Sequence, residues 1–189
     1  TTTTIDTSWN YPSDITNLSF SEQVAAYDNT FRIALFLTNN PETSMAINFE
    51  LPLETCAFVQ YRLLDSEIVF EQEATYKSTK VGKKILHHYE TTMDNLLPDS
   101  TYEYRIRDEA WLNISESHTF KTASSSRDEF SFMVLADPQE NSVLGYMAYS
   151  HVLLNAMDTF DQPIDFNLFV GDIVNDADIR MEWDAFFTY

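Results

Sequence analysis

The chain has 189 residues, enough for one sizeable domain or two small ones at roughly 100 to 200 residues each. Apolar residues at 44% and charged residues at 22%, with 14 Phe and 10 Tyr, exclude a disordered chain and supply a packed core. The net charge of −19, from 30 Asp and Glu against 11 Lys and Arg, repels a phosphate backbone and disfavours a nucleic-acid coat function, leaving room for a metal-bridged phosphate.

The front of the chain reads in period 2. Phe31 to Leu37 forms a short strand, and Met45, Ile47, Phe49 and Leu51 then alternate with Ala46, Asn48 and Glu50. Val59, Tyr61 and Leu63 alternate in the same way after Cys56, whose solitude excludes an intrachain disulfide and a thiolate zinc cluster. Glu67 to Thr75, Ile85 to Thr91, Tyr102 to Ile106 and Ser117 to Lys121 complete about seven short strands between turn signals, the pattern of a β-sandwich. Lys77, Lys80, Lys83 and Lys84 suit a hairpin or edge strand, where lysine discourages strand addition. Leu96-Leu97-Pro98-Asp99-Ser100-Thr101-Tyr102 fits the run that leads a fibronectin-III-like strand, its Tyr hydroxyl bonded back to the corner. A Pro-containing turn before an ordinary strand is the alternative.

Thr122 to Asp128 is a short polar linker, which sets domains at residues 1–126 and 127–189. Residues 128–189 carry 12 acids and one base, Arg180, yet contain the dense apolar runs Phe130 to Ala136 and Phe166 to Val170 that an acidic tail lacks. This is a folded unit that favours cations. Ser131 to Ala136 reads as a strand, Ser142 to Met157 as a helix and Ile164 to Val170 as a second strand, a βαβ unit with a parallel, largely buried sheet. A further helix starts near Asp178, with Trp183, Phe186 and Phe187 as its apolar face and Asp178 as its cap. No apolar run approaches the ~20 residues of a membrane span.

Each parallel strand ends in a carboxylate, Asp137 after Leu135-Ala136 and Asp172 after Val170-Gly171. Adjacent parallel strands bring such residues into the crevice where open α/β sheets bind ligands. Two carboxylates that close repel unless a proton or a cation lies between them, and hard divalent cations take oxygen ligands. With only three glycines in the chain, Gly171 directly before Asp172 is informative; a plain turn with a solvated Asp remains the other reading.

Ala136-Asp137-Pro138-Gln139 and Val170-Gly171-Asp172-Ile173-Val174-Asn175-Asp176 resemble the D-x-H and G-D-x-x-D motifs of the calcineurin-like metallophosphoesterases. Asn40 to Ile47 and His87 to Arg105 are similar to the fibronectin-III-like N-terminal domain of the purple acid phosphatases. The resemblance implies a β-sandwich followed by the start of an α/β metallophosphoesterase sandwich domain, truncated at Tyr189. It implies two divalent metal ions, of Fe, Zn, Mn or Ca, with Asp137 on the first and Asp172 bridging both, and a phosphate-ester substrate.

Three departures qualify that implication. Gln139 stands where the motif has a metal-binding His, so its amide either binds the first ion or orients its water. Asn175 stands where purple acid phosphatases have Tyr, and with Asp176 it is expected to support the ligands from behind. The family's G-N-H-[DE] motif and later histidines are expected beyond Tyr189, which leaves the catalytic residues unassigned. His87, His88, His118 and His151 are read as structural or surface residues.

The leading reading is thus part of a metal-dependent phosphoesterase, extracellular or at the cell surface. The alternative is a non-catalytic extracellular β-sandwich module with a structural cation site, and a degenerate phosphoesterase serving as a binding module is a third. A sheet with so few strands is expected to self-associate through its apolar face.

Overall fold

The computed structural model of the chain describes residues 31–81, 83–110, 115–126 and 129–188. Eight strands come first: β1 (Ala34–Leu37), β2 (Met45–Leu51), β3 (Ala57–Leu63), β4 (Phe70–Glu73), β5 (Thr75–Val81), β6 (Lys84–Met93), β7 (Thr101–Asp108) and β8 (His118–Lys121). They form two four-stranded antiparallel sheets, ordered β1-β2-β6-β5 and β4-β3-β7-β8. Alternation on β2 turns Met45, Ile47, Phe49 and Leu51 inward, and alternation on β3 turns in Ala57, Val59 and Tyr61. These meet Tyr89, Met93, Tyr104, Ile106 and Phe120 in one core between the sheets. Burial there pushes the Tyr104 phenol up to about 12.

The strand expected over Glu67 to Thr75 is two strands in different sheets. β4 ends at Glu73 and pairs with β3, whereas β5 begins at Thr75 and pairs with β6. Ala74 is buried at the corner between them, and its N–H donates to the Ala57 carbonyl (2.8 Å). β5 escaped the periodicity because it is an edge strand with lysines on its exposed positions. The Leu96 to Tyr102 corner closes as its sequence implies, with the Leu97 N–H donating to Tyr102 Oη (2.8 Å).

The remaining elements are β9 (Phe132–Leu135), α1 (Val143–Thr159), β10 (Phe166–Phe169) and α2 (Arg180–Thr188). β9 and β10 pair in parallel, with Phe132 opposite Phe166 and Leu135 opposite Phe169. At their entry, the Ser131 N–H donates to Asp165 Oδ2 (2.8 Å) and the Asp165 N–H donates to the Ser131 carbonyl (2.8 Å). Ser142 caps α1, accepting from the Gly145 N–H, and Val143, Tyr146 and Met147 bury against Ala185 of α2. The pair is far from the largely buried sheet its sequence suggests: Val134 is 59% exposed and Val170 57%. Two strands and two helices cover only part of the apolar surface. Among the described residues, no helix is long and apolar enough to cross a membrane.

An ion network joins α2 to the sandwich. Arg180 donates from Nη1 and Nη2 to the two carboxylate oxygens of Glu50 on β2 (2.8 and 2.5 Å), and from Nε to Asp184 Oδ1 (2.6 Å). Arg32 donates from Nε to the same Asp184 oxygen (2.7 Å), and His88 Nδ1 lies 3.2 Å from Glu50 Oε1. Burial pulls the Arg180 guanidinium down, but its hydrogen bonds to Glu50 and the charges of Glu50 and Asp184 outweigh that, so its pKa is raised overall. α2 therefore turns Glu182, Asp184 and Ala185 inward, while Trp183, Phe186 and Phe187, expected as its buried face, are half-buried.

Removing one partner of such a network leaves charge behind in a poorly solvated place. Arg180→Met is expected to cost about 2–3 kcal/mol, short of a fully buried pair because some exposure remains. Denaturant unfolding of the two chains measures it, and a difference under ~0.5 kcal/mol, the range of ordinary surface substitutions, would contradict it.

Candidate functional site at the ends of the parallel strands

Beyond Leu135 and Phe169 the parallel ladder continues without side-chain alternation. The Val170 N–H donates to the Leu135 carbonyl (2.9 Å), the Asp137 N–H to the Gly171 carbonyl (3.3 Å) and the Gln139 N–H to the Asp172 carbonyl (3.2 Å). The backbone bends out of the strands at the two carboxylates themselves: φ is 54° at Asp137 and 45° at Asp172. Side chains with a Cβ are disfavoured there, and Asp is among the few that tolerate it. Gly171, at φ 151°, occupies a backbone region that other residues rarely enter, although open space surrounds the position of a Cβ. Asp137 and Asp172 are both exposed, Pro138 between Asp137 and Gln139 is fully buried, and Gln139 is half-buried.

Side chains stitch the two exits together. The amide end of Gln139 lies 2.5 Å from the Asp172 carbonyl oxygen and 3.2 Å from that of Asp137. Both are acceptors, so the atom facing them is the amide nitrogen, which donates to each. In the opposite direction, Asn175 Nδ2 donates to the Glu140 carbonyl (3.1 Å) and to Asn141 Oδ1 (3.2 Å). Asp176 closes the turn that leads to α2: its Oδ1 accepts from the Asp178 N–H (3.0 Å), while its own N–H donates to Glu182 Oε2 (2.9 Å). Asp176 thus shapes the turn that precedes α2 rather than capping the helix, and Glu182 in the first helical turn holds the Asp176 N–H. Trp183 Nε1 donates to the Ala177 carbonyl (3.0 Å), and the Phe169 and Phe186 rings meet edge to face (5.6 Å). The loop bearing Asp172 is consequently tied to β9 on one side and to α2 on the other.

The expected site residues thus lie on two neighbouring strand exits that hydrogen bonds join, Asp137 and Gln139 after β9 and Asp172, Asn175 and Asp176 after β10. Hard oxygen donors of this kind suit a divalent cation of the Mg²⁺, Ca²⁺ or Mn²⁺ type. Among the described residues, no three His, Cys, Asp or Glu side chains converge as a metal site. His87 and His88 lie on β6, His118 on β8 and His151 within α1. What the sequence did not disclose is the network of Arg32, Glu50, Arg180 and Asp184 that anchors this wall. Its one visible signal was Arg180, the single base among residues 128–189, four positions before Asp184.

The family model described as Purple acid Phosphatase, N-terminal domain, matches residues 30–122, the segment that holds all eight antiparallel strands. No curated protein matches the chain in sequence. Solved structures similar to it include a computationally redesigned β-sandwich protein at 21% identity, covering 49% of this chain and 94% of that one, with a TM-score of 0.35. The sensor domain of the anti-sigma factor RsgI4 of Pseudobacteroides cellulosolvens is similar at 19% identity, over 51% of this chain and 97% of that one, with a TM-score of 0.34. The fn3 domain of the human collagen alpha-1(XX) chain follows at 13% identity, over 52% and 85%, with a TM-score of 0.33. The chain is mostly an antiparallel β-sandwich, as its sheet order shows, and fibronectin-III domains are among its structural neighbours.

A carboxylate held where glycine is the easier residue has a measurable signature. Asp172→Gly is expected to be at least as stable as the parent, whereas Asp172→Ala is expected to lose ~1 kcal/mol, because alanine at positive φ is strained without gaining a turn-forming side chain. Thermal unfolding of the three chains decides it; Gly and Ala variants of equal stability would contradict a strained backbone at this residue.

Proposed function

We propose that the chain is the leading part of a metal-dependent phosphoesterase, a purple-acid-phosphatase-type sandwich followed by the first strands of a metallophosphoesterase domain. The observation that carries the reading is the placement of Asp137 and Asp172 at the exits of two adjacent parallel strands, each on positive-φ backbone. The family match of residues 30–122 supports it from the other side, since it associates the sandwich with phosphatases. Asp137 and Asp172 would hold the cation or a pair of cations. Bound there, divalent ions would polarise a phosphoryl oxygen and acidify a water.

The chain's own residues have a simpler task. The two carboxylates present oxygen to one crevice, and the Arg180 network keeps the wall bearing Asp172 against the sandwich while offering its cations to Glu50 and Asp184. Because no third carboxylate or imidazole joins the pair among the described residues, a structural cation site in a non-catalytic module is the second reading.

Calorimetric titration separates the two. The chain is expected to bind Mn²⁺, with affinity reduced about tenfold or more in Asp172→Asn, and the enzyme containing it is expected to hydrolyse nitrophenyl phosphate in a chelator-sensitive way. Thermal stabilisation by Ca²⁺ without hydrolysis under any metal would favour the structural site, and no binding of any divalent ion would overturn both.

A further inference from the structure

The two residues that depart from the metallophosphoesterase pattern, Gln139 and Asn175, are both amides, and both reach across the crevice. Gln139, from the β9 exit, donates to the carbonyl of Asp172 on the β10 exit as well as to that of Asp137. Asn175, from the β10 exit, donates to the Glu140 carbonyl and the Asn141 side-chain oxygen on the β9 exit. The geometry points to a reciprocal amide clasp: Gln139 and Asn175 are positioning residues that set the separation of the Asp137 and Asp172 carboxylates by donating to the facing backbone, in place of ligation by residue 139. This rests on reading the crevice as a cation site.

Three observations carry it. The Asp137 and Asp172 carbonyls lie next to positive-φ turns, where the regular ladder of the sheet no longer fixes the backbone. The direct backbone bonds at the two carboxylates are long, 3.3 and 3.2 Å, against 2.9 Å for the Val170–Leu135 bond that precedes them. Only a side chain with a donor can reinforce such carbonyls, and the two N–H groups of an amide can serve two of them at once; a histidine bound to metal through the nitrogen facing these carbonyls could not also donate from it. An amide at position 139 thus serves the spacing of the exits, and the two carboxylates, projecting from the residues whose carbonyls it holds, inherit that spacing.

The clasp is tested without metal by amide hydrogen exchange. Exchange at the Asp137 and Gln139 N–H groups is expected to quicken about tenfold or more in Gln139→Met, the equivalent of one lost hydrogen bond. The Gln139 N–H is expected to quicken likewise in Asn175→Asp, which keeps the shape of the residue and removes its donors. Mn²⁺ affinity, read by water-proton relaxation, is expected to fall about tenfold in both variants, the second despite its added negative charge. Gln139→Glu, a stronger ligand but no donor at neutral pH, is expected to gain no affinity. Unchanged exchange in both donor-free variants would overturn the clasp, and so would tighter Mn²⁺ binding by Gln139→Glu. A parent chain that binds no Mn²⁺ would remove the cation reading of the crevice, while the exchange rates would still decide the clasp.

Discussion

The structure depends on neutralising acid where the second unit meets the first. Residues 128–189 bring twelve acids and a single base, and that base, Arg180, sits between Glu50 of the sandwich and Asp184 of its own helix. Without it, docking would press Asp184 towards Glu50 with Arg32 and His88 as the remaining counterweights. Two carboxylates facing two guanidiniums form an arrangement that a purely apolar seam would not orient so tightly, because the bidentate Arg180–Glu50 contact fixes direction as well as distance. Helix α2 is thereby held at one orientation, with its acids inward and its aromatic residues half-covered.

From α2 the constraint passes backwards along the chain. Glu182 receives the Asp176 N–H, Trp183 holds the Ala177 carbonyl, and Phe186 packs on Phe169 at the end of β10. The loop carrying Asp172 thus has fixed points at both ends, and its partner loop reaches it through backbone and amide bonds. Residues in sparsely populated backbone regions persist only when their surroundings over-determine them, and they concentrate at functional sites. Asp137 and Asp172 meet that description at the same edge of the same pair of strands.

Much of this was legible in the sequence, for reasons tied to particular residues. The alternation of Met45, Ile47, Phe49 and Leu51 is a direct consequence of the pleat, so the sandwich followed from it. The parallel pairing of the strands that precede Asp137 and Asp172 followed from their apolar runs, which align with Leu135 opposite Phe169. β5 lacks the apolar alternation because an edge strand needs no apolar face, and what announced it was its lysines, Lys77 and Lys80, together with Lys84 across the hairpin. The inward turn of Glu182 and Asp184 was hidden: their partners, Arg32 and the Asp176 N–H, lie 152 and 6 residues away from the residues they satisfy. Periodicity reports which side chains avoid water, and a buried ion network obeys a different rule. The amide clasp was equally unreadable, because Gln139 acts on backbone oxygens whose exposure is set by the positive-φ turns.

Whether Asp137 and Asp172 hold a cation between them is decided by anomalous diffraction from crystals of the chain grown with Mn²⁺. A manganese peak is expected between the two carboxylates, within the ~2.0–2.6 Å range of hard-cation oxygen ligands, and is expected to disappear in Asp172→Asn. A peak elsewhere on the acidic surface with that crevice empty, or the same peak in the substituted chain, would contradict it.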